Sequence, residues 1–211
     1  LRRAINANLR VGNEEALNQV LRFISMESAP ENMRIEAINA LSTWDSPSVL
    51  DRVDGRYRGH VSRDVNSLRQ SAASPLLKLL DHSDPDLRVT AVNAIGRLKI
   101  ADTSEKLMSL LKRDREPLVR EAALKALAES GADNMDLALE QATTDKDKRV
   151  RVAGLAILGE TSLSGQTVAS LLEKVILNQT VEEKQAAITT LGKVEEEYAK
   201  PVFEKLLDQL K

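Results

Sequence analysis

Apolar and polar positions recur with helical spacing along the whole chain. A basic residue is followed by a small residue three positions on, an aliphatic residue four positions on, and Leu or Ile seven positions on. Positions spaced in this way lie on one face of an α-helix, so each copy of the phrase predicts an amphipathic helix. The copies begin at Arg34, Arg88, Arg120, Arg151 and Lys184.

The last four copies are separated by 32, 31 and 33 residues. A nearly constant period in this range is typical of stacked helical hairpins rather than of a single globular core. Each hairpin would consist of a helix A and a helix B, and helix B would carry the phrase. The pattern therefore predicts an all-α fold, a right-handed α-solenoid of about five hairpins over residues 1–211.

Turn residues and apolar spacing place the individual helices. Leu1–Leu9 is predicted to be a B helix without an A partner, and the final helix an end cap or an A helix without a B partner. Pro75 is expected to kink or divide its helix. The predicted helices are Leu1–Leu9, Glu14–Met26, Glu31–Trp44, Asn66–Leu80, a helix starting near Asp84, Asp102–Lys112, Pro117–Glu129, Asn134–Thr143, Lys148–Glu160, Gly165–Leu177, Val181–Val194 and Glu195–Leu210.

One interval breaks the period. Arg34 and Arg88 are 54 residues apart, roughly 22 more than one repeat. The additional residues lie between Trp44 and Asn66, and they predict an inserted loop at about 45–65. A loop of this length is usually functional or disordered, and this one carries too many aromatic and aliphatic residues for plain disorder.

The insert supplies the candidate binding residues. Tryptophan, tyrosine and arginine are enriched at the energetic centres of protein interfaces. The candidates for a protein or glycan contact are Trp44, Arg52, Arg56, Tyr57 and Arg58. The preferred interpretation of the insert is nevertheless structural: Trp44 and Leu50 fold the loop back and fill the groove between repeats. Arg52 would then pair with Asp54 or with another acid inside the same loop.

The basic residues that open the five phrases (Arg34, Arg88, Arg120, Arg151 and Lys184) form a second candidate set, called here the ladder. The preferred interpretation is structural: each cation pairs with acids of nearby turns, such as Asp86, Asp114 and Asp147, and so joins one repeat to the next. The alternative is a basic track for an anionic partner. Exposed ion pairs stabilise little singly, so a clamp would depend on the whole array.

Charge and composition narrow the function classes. Thirty basic and 32 acidic residues give a net charge of −2, without the basic excess of a general nucleic-acid binder. The chain has no cysteine and no apolar run long enough to span a membrane. No nucleophile elbow or phosphate-binding loop is present. His60 and His82 do not have the spacing of a zinc motif. The carboxylates of Asp51, Asp54 and Asp64 could bind a cation, but solvent-exposed carboxylates are the preferred interpretation. No cofactor or metal is expected.

Several segments resemble a known repeat family. Leu87–Gly96, Leu118–Leu127 and Val150–Leu155 resemble HEAT repeats of the kind found in phycobilisome-lyase-like proteins, an armadillo-like superhelix. The segment from Trp44 to Arg58 resembles part of the HEAT region of large exported bacterial proteins. Those proteins also contain a sugar-dehydrogenase-like β-propeller and a c-type haem module. The Cys-x-x-Cys-His haem motif is absent from this sequence, so no redox activity is transferred to it.

The resemblance implies a piece of a larger, exported or periplasmic bacterial protein. Its expected role is a non-catalytic scaffold that spaces neighbouring domains and binds protein, either flanking domains or a partner chain. The alternatives are a HEAT-type enzyme or enzyme accessory, such as a bilin lyase-like protein or a DNA glycosylase, and a cytosolic adaptor. One tryptophan and an acidic pI near 5.9 argue against the glycosylase.

Overall fold

All regular secondary structure is helical in the part of the chain that the computed structural model describes, residues 1–158, 163–178 and 180–208, apart from one isolated β-bridge. This confirms the all-α prediction; the handedness of the superhelix stays a prediction. The helices are α1 (Arg2–Val11), α2 (Glu14–Ser25), α3 (Glu31–Leu41), α4 (Asn66–Leu79), α5 (Pro85–Leu98), α6 (Ser104–Arg113), α7 (Pro117–Ser130), α8 (Met135–Thr143), α9 (Lys148–Leu158), α10 (Gly165–Asn178), α11 (Val181–Leu191) and α12 (Glu196–Asp208).

The chain divides into two compact units, Leu1–Glu105 and Lys106–Lys211. In the first unit, α2 packs on α3 and α4 packs on α5, so that each pair forms a hairpin. The B helices α1, α3 and α5 pack in series, and α2 packs on α4 in a parallel row of A helices. The second unit repeats the scheme, with hairpins α8–α9 and α10–α11 and a B-helix series α7, α9 and α11.

The repeated phrase supplies the core of both units. Its small, aliphatic and Leu or Ile positions are buried in all five copies, with one exception. Ile188 on α11 is 41% exposed, whereas the four equivalent residues (Ile38, Val92, Leu124 and Leu155) are at most 1% exposed. For Ile38, Leu124 and Leu155 a B helix packs on the far side (α5, α9 and α11), and no B helix after α11 is present among the described residues.

Local turn chemistry starts the helices where the sequence indicates. Asp84 accepts a hydrogen bond from the Leu87 backbone N–H at 2.9 Å, and Pro85 occupies the first helical position of α5. At this position proline has no helical hydrogen bond to lose. Asn13 caps α2 in the same way through the Ala16 N–H.

The structure decides part of two expectations about the helices. α4 runs without a break from Asn66 to Leu79, so Pro75 does not divide it, and a kink at Pro75 stays a prediction. α3 ends at Leu41, three residues before Trp44, because the chain there turns into the insert. The predicted helix ends at Glu160 and Leu210 lie outside the described residues.

Candidate functional site

The insert is an ordered structure in the first unit, built around a short hairpin. Leu50 and Tyr57 form an antiparallel bridge, and the Arg58 N–H donates to the Val49 carbonyl at 2.7 Å. Residues 51–56 form the turn between these two segments, with Gly55 at φ 71°, in the left-handed region that glycine adopts without strain. The segment 49–58 is called here the insert hairpin.

The carboxylate of Asp51 fastens the insert hairpin to α1. It accepts hydrogen bonds from the Val53 N–H at 2.9 Å, from Asn6 Nδ2 at 2.9 Å and from Arg58 Nε at 3.3 Å. Arg10 Nε lies 3.9 Å away. The hydrogen bonds from the Val53 N–H and then from Asn6 hold the pKa of Asp51 well below its ordinary value. The ionised carboxylate therefore stabilises the attached form of the hairpin.

Arg63 joins the far end of the insert to the end of α1. Its guanidinium donates to the Trp44 carbonyl at 2.6 Å and to the Leu9 carbonyl at 2.9 Å, and it lies over the Trp44 ring, 5.6 Å from the centroid. The Leu9 carbonyl belongs to the last turn of α1, where carbonyl groups have no hydrogen-bond donor within the helix. Burial, with a smaller effect of Arg10, lowers the pKa of Arg63.

Arg10 and Arg63 were not predicted from the sequence. Arg10 donates to the Ser48 and Leu50 carbonyls at 2.9 and 2.8 Å, across 38 and 40 residues of chain. No spacing rule connects positions that far apart. The available signal was Gly12, which ends α1 at φ 63° and, having no side chain, leaves space for the Arg63 guanidinium.

The candidate residues of the insert separate into buried and exposed members. Trp44 is only 3% exposed and lies in the core, as the structural interpretation expects and against a direct contact of this side chain with a partner. Tyr57 is 69% exposed and Leu50 is 51% exposed, so Leu50 does not fill the groove with Trp44. Opposed residues of an antiparallel bridge project from the same face. Leu50 and Tyr57 therefore present one apolar pair at the surface.

The three arginines of the insert hairpin each contact a carboxylate. Arg52 Nη2 lies 3.1 Å from Glu36 Oε1 on α3, outside the loop, and not beside Asp54 or another acid of the loop. Arg58 bridges Asp51 and Asp54, with its Nη2 3.0 Å from Asp54 Oδ2. The Arg56 side chain is 79% exposed and approaches Asp54 only to 3.8 Å.

In the first unit the ladder arginines bind backbone carbonyls of helix ends and turns. Arg34 is buried; its Nε donates to the Ile24 carbonyl at 2.8 Å, and its Nη1 lies 3.3 Å from His82 Nε2. Arg88 Nη1 donates to the carbonyls of His82 and Ser83 at 2.8 and 3.0 Å. Arg34 thus connects α2 to the turn before α5.

In the second unit the ladder forms ion pairs between repeats. Arg120 binds both oxygens of Asp145 at 2.8 and 2.7 Å, and both side chains are almost fully buried. Arg151 pairs with Glu183 at 2.5 Å and donates to the Asp145 carbonyl at 2.7 Å. Neither carboxylate was among the predicted turn acids. Lys184 is half-buried at the equivalent position of α11.

The pKa values of this cluster follow from the same contacts. Burial acts to raise the pKa of Asp145, but the hydrogen bonds from Arg120 and the Asp147 N–H outweigh it and the net shift is downward. Glu183 shows the same balance: burial is outweighed by bonds from Arg151 and from Thr180, whose N–H and hydroxyl both donate to it. Both carboxylates are therefore held ionised by their partners.

Among the described residues no three His, Asp or Glu side chains are grouped so that they could hold a metal ion. His60 and His82 are not brought together in such a group, nor are Asp51, Asp54 and Asp64. Within the same part of the chain, no helix combines the length and the apolar character needed to cross a membrane.

Comparison with known proteins identifies the repeat type. Residues 72–159 match the family described as HEAT repeats. The crystal structure of an engineered protein is similar, with a TM-score of 0.52 and 17% identity over 92% of this chain and 89% of that one. The complex of CpcE and CpcF of phycocyanin lyase from Nostoc sp. PCC7120 gives a TM-score of 0.48 and 17% identity over 96% of this chain and 78% of that one. No curated protein matches the sequence. The family match over residues 72–159 and the likeness to the engineered protein show a HEAT-like helical repeat fold.

Proposed function

We propose that this chain is a non-catalytic protein-interaction module that spaces domains of a larger bacterial protein, and that it makes its contact through the insert hairpin. The observation that carries the proposal is the exposed pair Leu50 and Tyr57 on a segment fixed to α1 and α3. HEAT-type stacks provide extended binding surfaces, and this fold fits such a module.

The rigid attachment of the hairpin supports binding. Ordering a flexible loop on association costs about 0.5–1.5 kcal/mol for each immobilised side chain. Here Asp51, Arg10 and Arg63 already hold the backbone through hydrogen bonds to α1 and to the insert. Tyr57 and Arg56 are of the residue types that dominate interface energetics, and both are well exposed.

The positions of the perturbed ionisable groups support a non-catalytic role. In catalytic sites such groups converge on a cleft that admits substrate. The lowered pKa values of Asp51, Asp145 and Glu183 instead arise from hydrogen bonds that attach the insert or join repeats. These groups act as structural anchors.

A pull-down with this chain tests the proposal. The bait is incubated with separately expressed domains encoded beside it in the same gene, and with lysate of the source organism. Capture of a neighbouring domain by the wild type, its loss with Tyr57→Ala and its retention with Arg22→Ala on α2 are the expected results. Capture of a bilin pigment, or a partner that binds Tyr57→Ala equally well, would contradict the proposal.

A further inference from the structure

The charged groups around the insert hairpin are arranged asymmetrically. We propose that this surface binds a protein segment that combines acidic residues with aromatic or aliphatic ones. The inference rests on the proposed function and specifies the chemistry of the partner at the same site.

The arginines of this surface point outward and their carboxylates lie beneath them. The side chains of Arg2, Arg56 and Arg58 are 58%, 79% and 43% exposed. The carboxylates that they contact are less exposed, at 15% for Glu36, 5% for Asp51 and 39% for Asp54. An approaching molecule therefore meets guanidinium groups first, although the chain as a whole is slightly acidic.

The cationic groups form two ion-pair clusters, one that joins α1, α3 and the hairpin and one within the hairpin. Arg2 Nε and Arg52 Nη2 lie 3.5 and 3.1 Å from the same oxygen of Glu36. Arg58 contacts both Asp51 and Asp54, and Arg56 approaches Asp54. In these two clusters four arginines face three carboxylates, which leaves an excess of one positive charge.

The same hairpin also exposes apolar side chains. Leu50 and Tyr57 form the exposed pair, and Val53 in the turn is 37% exposed. Apolar residues together with polar and charged neighbours are usual in a protein–protein contact. Single-stranded nucleic acid would require several stacking aromatic residues along a basic groove, whereas this surface has one tyrosine and a partly exposed Asp54. The observations favour an acidic protein segment.

Selection from a random peptide library tests the inference. The library is displayed on phage and panned on the intact chain, and enriched peptides are measured by fluorescence anisotropy. The expected result is enrichment of peptides with Asp or Glu beside aromatic or aliphatic residues, whose affinity falls as salt rises. Tyr57→Ala should weaken binding about tenfold, a typical loss for an interface centre. Arg56→Glu should weaken binding severalfold.

The control variant is Arg22→Glu, which makes the same charge change at an exposed arginine of α2. It should leave affinity unchanged. Neutral or basic peptides that bind in a Tyr57-dependent manner would overturn the acidic chemistry and leave the proposed function intact. Equal or tighter Arg56-dependent binding of single-stranded DNA would overturn the choice of protein. If no Tyr57-dependent peptide emerges, the inference and the proposed function both fail.

Discussion

At the scale of single residues, His82 replaces an aspartate found at the same position of two other turns. His82, Asp114 and Asp145 each lie six residues before a ladder arginine. Each also accepts the backbone N–H two residues further on, at 3.0, 2.9 and 2.8 Å. A neutral imidazole has one acceptor nitrogen. His82 therefore cannot accept both from the Asp84 N–H and from Arg34, while a carboxylate can.

We expect His82→Asp to stabilise the protein. Asp145 shows the geometry that the new side chain would adopt, with one oxygen on the backbone N–H and both on the arginine. The free energy of unfolding should rise by about 1 kcal/mol, because the charge-assisted hydrogen bond with Arg34 contributes more than the desolvation of the new carboxylate costs. Thermal unfolding at neutral pH measures it, as a midpoint higher by roughly 2–4 °C. His82→Asn is the neutral control. A midpoint for the aspartate variant at or below that of the asparagine variant would refute the argument.

Gly12 and Gly131 provide a matched pair for the Arg63 attachment. Both end a helix in the left-handed region, at φ 63° and φ 67°. A methyl group on Gly131 would meet nothing, whereas one on Gly12 would overlap the Arg63 guanidinium. Gly131→Ala should therefore lower the free energy of unfolding by about 1 kcal/mol, which is the cost of placing an alanine in the left-handed conformation.

Gly12→Ala should cost about 1–2 kcal/mol more, because Arg63 must release the carbonyls that it binds. Chemical denaturation of both variants measures the difference. Combining Gly12→Ala with Arg63→Ala removes the overlap and serves as the control. Equal losses for the two glycine variants would show that Arg63 contributes nothing at this site.

At the scale of elements, the ladder joins helices most strongly where the pair is buried. Arg120 on α7 and Asp145 before α9 are 2% and 4% exposed, whereas Lys125 and Glu121 on α7 form an exposed pair. Arg120→Ala leaves an unpaired buried carboxylate and should cost about 3–5 kcal/mol. Lys125→Ala should cost at most about 1 kcal/mol.

A double-mutant cycle separates the pair from general loss of packing. Arg120→Ala, Asp145→Ala and the double variant are compared by urea denaturation, and the coupling energy is the departure from additivity. A favourable coupling well above that of the Lys125–Glu121 pair is expected. Additive losses would mean that Arg120 acts through packing and its bonds to turn carbonyls alone.

The repeated phrase made most of the elements predictable, because helical periodicity is local and each copy reports the same buried face. The contacts of the insert were not predictable, because they join residues that are far apart in the sequence and a local periodicity says nothing about such pairs. Asp51 reaches Asn6 across 45 residues, and Arg63 reaches Leu9 across 54. No repeat period relates those positions. Trp44 was a binding candidate because of its residue type, and residue type does not distinguish a buried tryptophan from an exposed one.

At the scale of the whole molecule, acid should destabilise both units. The pKa values of Asp51, Asp145 and Glu183 are lowered in the folded protein. The unfolded chain therefore binds more protons below the ordinary carboxyl pKa of about 4. The stability that these groups contribute is present above that pH and is lost as the pH falls through their folded values.

Thermal unfolding followed from about pH 6 down to about pH 2 checks this sign. The midpoint should fall with pH, and Asp51→Asn should be less stable than the wild type near neutrality and approach it in acid. Hydrogen exchange should place that difference in residues 1–105. A constant gap between the two proteins at all pH values would exclude ionised Asp51 as the fastening group.

Excision of the insert distinguishes the contribution of the hairpin contacts, made by Asp51 and Arg10, from that of Arg63. The Arg63 N–H donates to the Asp45 carbonyl at 2.8 Å, so the ends of the loop are adjacent and a short Gly-Gly linker can replace residues 46–62. This variant loses the contacts of Asp51 with Asn6 and of Arg10 with Leu50, but keeps Arg63. It should remain helical, with faster hydrogen exchange in α1 and unchanged exchange in α8–α11.

Adding Arg63→Ala to the excised chain should accelerate exchange in α1 further, because the carbonyls of Leu9 and Arg10 lose their donor. The same substitution in the full-length chain is the matched control. If α1 keeps wild-type protection after the excision, the insert is only an accessory of the solenoid. If α1 loses all protection, the insert forms part of the fold. In that case a loss of binding in a hairpin variant could arise from unfolding of α1, so the stability of each variant would have to be measured before its binding.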